Sequence, residues 1–160
     1  MKAAAVHQRE SILSLTYTGT LEFDAGVDTT ALIVHLADYL RKLEARDIRI
    51  SQASVSFRGG LFRAVSNWNI LIPFGYGKLI VDETAHQVRY GLSFRQLICV
   101  VTTMLALACL IEWSVATFDS VVPLVLGIGW LWLVGGNLML GIPRFRRFLR
   151  GAIDSLPVRQ

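Results

Sequence analysis

Cysteine is nearly missing from this 160-residue chain: Cys99 and Cys109 are its two, both inside one apolar stretch. On a single helix that separation amounts to roughly 15 Å along the axis, too far for a disulfide between them. A disulfide framework and a thiolate zinc site are therefore excluded as organising devices, and both thiols read as small buried apolar groups. Histidine is equally sparse. His7, His35 and His86 stand far apart, with no cysteine or carboxylate at ligand spacing and no H-E-x-x-H signature. Clustered carboxylates and a G-x-S-x-G elbow are missing too, so neither paired-acid nor serine-nucleophile chemistry has local support. No metal, cofactor or catalytic residue is expected.

Gly75-Tyr76-Gly77-Lys78 offers two tempting motifs and satisfies neither. A phosphate loop needs Ser or Thr where Leu79 stands, and an ion filter belongs between two spans, whereas this segment precedes both. It reads as a turn between strands.

Charge is missing from a long stretch of the C-terminal half. Between Leu97 and Ile142 the charged residues are Glu112 and Asp119 alone. Two apolar stretches fill that region, about Leu97–Phe118 and Val121–Ile142. Each is long enough as a helix to cross a hydrocarbon core of roughly 30 Å. The expected class is an integral membrane protein: an N-terminal domain (1–91), a transmembrane hairpin (92–142) and a basic tail (143–160).

Residues 1–91 hold ten Lys+Arg against nine Asp+Glu, while 143–160 hold five Arg against one Asp. Much of the excess positive charge thus follows the hairpin, as topology requires, and no nucleic-acid partner is expected. Arg89 and Arg95 before the first span, with Arg144, Arg146, Arg147 and Arg150 after the second, place both termini in the cytoplasm of a bacterial inner membrane. Residues 1–10 hold no apolar core of signal-peptide length, so the first span is expected to direct its own insertion.

The N-terminal half reads as α+β. Residues 13–23 alternate, with Leu13, Leu15, Tyr17, Gly19, Leu21 and Phe23 on one side, and predict a half-buried strand. Asp28 can cap a helix over Thr29–Ala45, whose Leu32, Leu36, Tyr39, Leu40 and Leu43 recur at helical spacing. The phase break between Ile48, Ile50 and Ala53, Val55, Phe57 implies a bulge or hairpin near Ser51–Gln52. Strands are expected at Asn69–Ile72, Lys78–Val81 and Gln87–Phe94, the last two joined by a hairpin at Glu83–Ala85. The predicted cytosolic domain is of β-α-β-β-β-β type, one helix on a mainly antiparallel sheet. It passes into the hairpin with almost no linker, which holds it close to the headgroups.

Within the hairpin, a turn near Thr117–Phe118 brings Gly127 level with Ala108, Gly129 with Ala106, and Asn137 with Cys99–Thr102. Small residues facing one another permit close helix packing, and Asn137 is expected to bond Thr102 or Thr103. Thr102, Ala106, Gly127, Gly129 and Asn137 are thus the candidate hairpin or oligomer contacts. Trp130 and Trp132 need acceptors for their indole N–H groups and point to an intersubunit face. Glu112 beside Trp113 belongs at the outer headgroups.

Beyond Ile142, Pro143 opens a short amphipathic helix: Phe145, Phe148, Leu149, Ala152, Ile153 and Leu156 form its apolar side. This tail is expected to lie in the interface, its arginines Arg144, Arg146, Arg147 and Arg150 on anionic lipid. Trp68, Trp113, Phe145 and Phe148 are the candidate interfacial anchors. Arg58, Arg63 and Lys78 with Phe57, Phe62 and Trp68 form a second basic-aromatic set that can face the bilayer.

The function expected from these residues is a non-catalytic interaction or assembly module at the cytoplasmic face, bound to a protein partner or to itself and to membrane lipids. The alternatives are an accessory subunit of a transport or lipid-handling complex and, third, a membrane-surface enzyme with a dispersed site.

Overall fold

A computed structural model describes residues 15–59, 70–115 and 121–156. The elements in order are β1 (Thr16–Glu22), α1 (Thr29–Lys42), β2 (Arg46–Ser51), β3 (Ser54–Arg58), β4 (Tyr76–Asp82), β5 (Gln87–Ser93), α2 (Arg95–Val115) and α3 (Val121–Asp154). The β-α-β-β-β-β order and antiparallel sheet match the sequence pattern, and two long apolar helices follow.

The sheet runs β1-β5-β4-β3-β2, every neighbouring pair antiparallel. Alternation sends Leu21, Val55, Phe57, Leu79, Val81, Val88, Tyr90 and Leu92 to one buried face. Two glycines in that layer make room for rings: a Cβ on Gly19 would overlap the Tyr90 ring, and one on Gly77 the Phe57 ring. Gly77 is therefore a strand residue beneath an aromatic side chain, and Tyr76–Lys78 belong to β4 rather than to the expected turn. The phase break near Ser51 is the β2–β3 hairpin. A separate irregularity lies between Arg46 and Arg49, where Asp47 adopts φ 50°.

Asp28 caps α1 as its position requires, Oδ1 accepting from Thr30 N–H at 2.8 Å and Ala31 N–H at 3.4 Å. The helix buries Leu32, Ile33, Leu36, Ala37 and Leu40. Residues 70–73 form a turn where the sequence pattern predicts a strand to Ile72; Leu71 and Phe74 drop into the core, and Phe74 N–H donates to Leu71 C=O at 3.2 Å.

The largest departure concerns the tail. It is no separate helix: α3 runs unbroken for 34 residues with Pro143 inside it, a length of about 51 Å at 1.5 Å per residue. Its last turns pack on the sheet beside α1, burying Phe145, Leu149, Ala152 and Ile153 in the same cluster as Val55, Phe57 and Tyr90. The sheet therefore carries two helices on one face, and the tail belongs to the domain core. Sheet width gives the reason. Five strands spaced about 4.8 Å apart present a face some 24 Å across, and one helix about 10–12 Å in diameter covers half of it.

Candidate interaction site at the sheet–hairpin junction

Among the described residues, two direct crossings join the sheet to the apolar helices. The first is covalent: β5 ends at Ser93 and α2 begins at Arg95. Phe94, the residue between, donates its N–H to Leu15 C=O at 2.8 Å and accepts from Ile98 N–H at 3.1 Å. The second is α3. Gly141 is buried where the helix passes the Pro73–Phe74 turn; a Cβ there would stand 3.1 Å from Pro73 Cγ and 3.4 Å from Phe74 Cζ. One turn on, Phe145 enters an aromatic cluster with ring centroids 6.1 Å from Phe57, 5.6 Å from Phe74 and 5.8 Å from Tyr90.

Phe145 is 0% exposed. Its expected role as a lipid anchor is corrected: the ring is core. Phe148 is half-buried against Tyr39, ring centroids 5.8 Å apart. Phe57 is likewise core, so it and Arg58 point to opposite faces of β3 and form no common basic-aromatic surface. Trp68, Phe62 and Arg63 lie outside the described residues.

α2 and α3 pack through Leu97, Val101 and Val134, with Ile98, Leu105, Trp130 and Leu138 around them. Across this seam Trp130 Nε1–H donates to Thr102 Oγ1 at 3.0 Å. Trp130 thus finds its acceptor within the chain, and Thr102 is taken by Trp130 rather than Asn137. Asn137 Nδ2 instead donates to Leu133 C=O on its own helix at 2.6 Å. A Cβ on Gly127 or Gly129 would meet nothing within 4 Å, so neither glycine serves close packing within the chain, and Ala106 is exposed. Most of the hairpin surface is bare: Leu110, Trp113, Leu124, Leu131, Trp132 and Met139 are each at least 64% exposed. Both helices are long and apolar enough to cross a membrane, and a soluble core helix would bury such residues instead.

Arg144, Arg146, Arg147 and Arg150 occupy the exposed flank of α3 just past its apolar segment. A cleft of about 410 Å³ where α3 passes β1 and the start of α2 is lined by Leu15, Thr16, Tyr17, Phe94, Ile98, Leu138 and Ile142. Tyr17, one of these lining residues, has its ring centroid 6.2 Å from that of Tyr90. Burial pushes the Tyr90 hydroxyl above its usual range, Tyr17 adds to the rise, and the positive charge of Arg146 opposes it.

Among the described residues, no element covers the outer sheet face, which is basic. Register places Arg46 opposite Arg58, Arg58 opposite Tyr76, Arg49 opposite Ser56, Ser56 opposite Lys78, and Ile80 opposite Arg89. Tyr76 and Ile80 are 44% and 41% exposed. Arg58 meets Asp47 at 3.6 Å and Arg89 meets Asp82 at 2.8 Å; among the described residues Arg49 and Lys78 sit in no ion pair. The near-neutral balance of the N-terminal half concealed this segregation, because Asp24, Asp28, Asp38 and Glu44 lie off this face, around α1. Because β5 runs toward α2, the Arg46–Arg58–Tyr76–Ser93 row is at the hairpin end, and Glu22, Asp82 and Gln87 are at the far end.

Sequence patterns gave no sign of one polar cluster. His35 Nε2 lies 2.9 Å and Tyr39 Oη 3.2 Å from Ser155 Oγ, bringing α1 to the end of α3. Ser155 donates its own proton to Ala152 C=O at 2.9 Å. Its oxygen is therefore the acceptor toward His35, the reverse of an activated nucleophile. The cluster is a clasp that fastens the tail to α1. Among the described residues no three His, Cys, Asp or Glu side chains gather as a metal site. Comparison with protein-family models, curated proteins and solved structures finds no match.

Proposed function

We propose that this chain is a non-catalytic interaction module anchored in the bacterial inner membrane, holding its basic outer sheet face at the cytoplasmic surface for an acidic protein partner or a second copy. The observation that carries it is α3. A hydrocarbon core of about 30 Å takes roughly 20 residues of helix, so 34 residues leave about 14 over. The surplus corresponds to the segment from Gly141 that is buried against the sheet. A domain fixed in this way, with no linker before α2, keeps a set orientation to the bilayer. The arginines flanking both apolar helices favour the cytoplasmic side for the domain and both termini.

Cross-linking in native membranes followed by mild-detergent purification tests this. A defined protein adduct on Lys78, abolished by Arg49→Glu in a chain that keeps Lys78, is the expected result. A strictly monomeric species without adducts, or adducts indifferent to Arg49→Glu, contradicts it.

The alternative, an accessory subunit of a lipid-handling or transport complex, draws support from the cleft at the junction. It would make lipid occupancy of that cleft part of the work rather than of the anchoring.

A further inference from the structure

We propose, resting on the membrane placement above, that the cleft between β1, the start of α2 and α3 binds one anionic phospholipid of the sheet-side leaflet. Its acyl chain lies against Ile98, Leu138 and Ile142, and its phosphate is held by Arg146 beside Tyr17. The walls identify the occupant. Ile98 is in the first turn of α2, and Leu138 and Ile142 lie at the sheet-side end of the apolar part of α3. All three stand where acyl chains give way to headgroups, and a cleft of about 410 Å³ open at that depth is within the size range of small-molecule sites.

The polar end follows from helical spacing. Leu138, Ile142 and Arg146 are spaced i, i+4, i+8 on α3, so they form one stripe with the guanidinium on the sheet side of the two apolar walls. That guanidinium is near enough to the Tyr17–Tyr90 pair for its charge to act on the Tyr90 hydroxyl. Tyr17, 38% exposed and itself lining the cleft, offers a hydroxyl at the same level. An apolar slot ending in a cation and a hydroxyl matches a single-headed anionic amphiphile. A zwitterionic lipid would bring its own cation against Arg146.

Native mass spectrometry of the full chain in neutral detergent, titrated with dioleoyl-phosphatidylglycerol or dioleoyl-phosphatidylcholine, tests the site. One phosphatidylglycerol should be retained about fivefold more strongly than phosphatidylcholine, the effect of one cation at an anionic headgroup. Arg146→Gln should erase the preference, Arg147→Gln, a hundred degrees round the helix, should preserve it, and Ile142→Trp should block both lipids. Equal binding of the two lipids, or equal loss in Arg146→Gln and Arg147→Gln, overturns the proposal. A chain that stays dissolved without detergent overturns the membrane placement itself, whereas a detergent-dependent chain without lipid preference overturns the cleft alone.

Discussion

Trp130 on α3 and Thr102 on α2 close the apolar hairpin with one side-chain hydrogen bond, indole N–H to hydroxyl oxygen at 3.0 Å. Within lipid such a bond contributes about 0.5–2 kcal/mol. Thr102→Val and Trp130→Phe should each lower stability by that amount in detergent denaturation, with a double-mutant coupling of similar size. Asn137→Leu should cost less than either, because the Asn137 amide bonds Leu133 of its own helix. A larger loss in Asn137→Leu than in Thr102→Val would reverse the assignment.

Phe145 distinguishes a core helix from one lying on lipid. With the ring enclosed by Phe57, Phe74 and Tyr90, Phe145→Ala should destabilise the sheet domain by about 3–5 kcal/mol. Arg147→Ala, on the exposed flank, should stay within about 0.5 kcal/mol. Near-equal stabilities for the two variants would put Phe145 outside the core.

Gly77 lies under the Phe57 ring, and its Cβ position is already occupied. Gly77→Ala must displace that ring and should cost about 1–3 kcal/mol by overpacking. Gly91, on the opposite face of the sheet with ordinary contacts at 3.7 Å and beyond, should accept Ala within about 0.5 kcal/mol. Thermal unfolding by circular dichroism separates the two.

Alkaline pH should weaken the fold through Tyr90, whose hydroxyl is pushed up from the ordinary value of 10.0, chiefly by burial. The unfolded chain then releases this proton more readily than the folded one. The stabilisation is complete below about pH 10 and falls as pH rises toward the folded pKa. Tyr90→Phe should flatten the decline in Tm above about pH 10; an unchanged slope in that variant would assign the effect to another group.

Local features of the fold were legible in the sequence. The alternation around Tyr17–Phe23, the Asp28 cap and the Glu83–Ala85 hairpin depend on neighbours within a few residues, and each stands where the pattern placed it. The destination of the tail was not legible from its own stripe. Phe145, Leu149, Ala152 and Ile153 present the same apolar face to lipid as to a sheet. Only the width of five strands against one 14-residue helix decides between them. The basic outer face was hidden for a related reason: charge counted along residues 1–91 averages two sides that the strand register keeps apart. Trp130–Thr102 and His35–Ser155 join residues 28 and 120 positions apart, and no spacing rule reaches that far.

The unbroken course of α3 from its apolar segment into the sheet core is tested most directly by a spin-label distance. Labels at Trp132→Cys and Gly151→Cys, with Cys99 and Cys109 replaced by alanine, are 19 residues apart on one helix. In reconstituted bilayers the account predicts a narrow distribution near 28 Å, from about 1.5 Å per residue. A broad distribution, or one centred near 20 Å as for a chain turned aside at Pro143 onto the membrane surface, would contradict it.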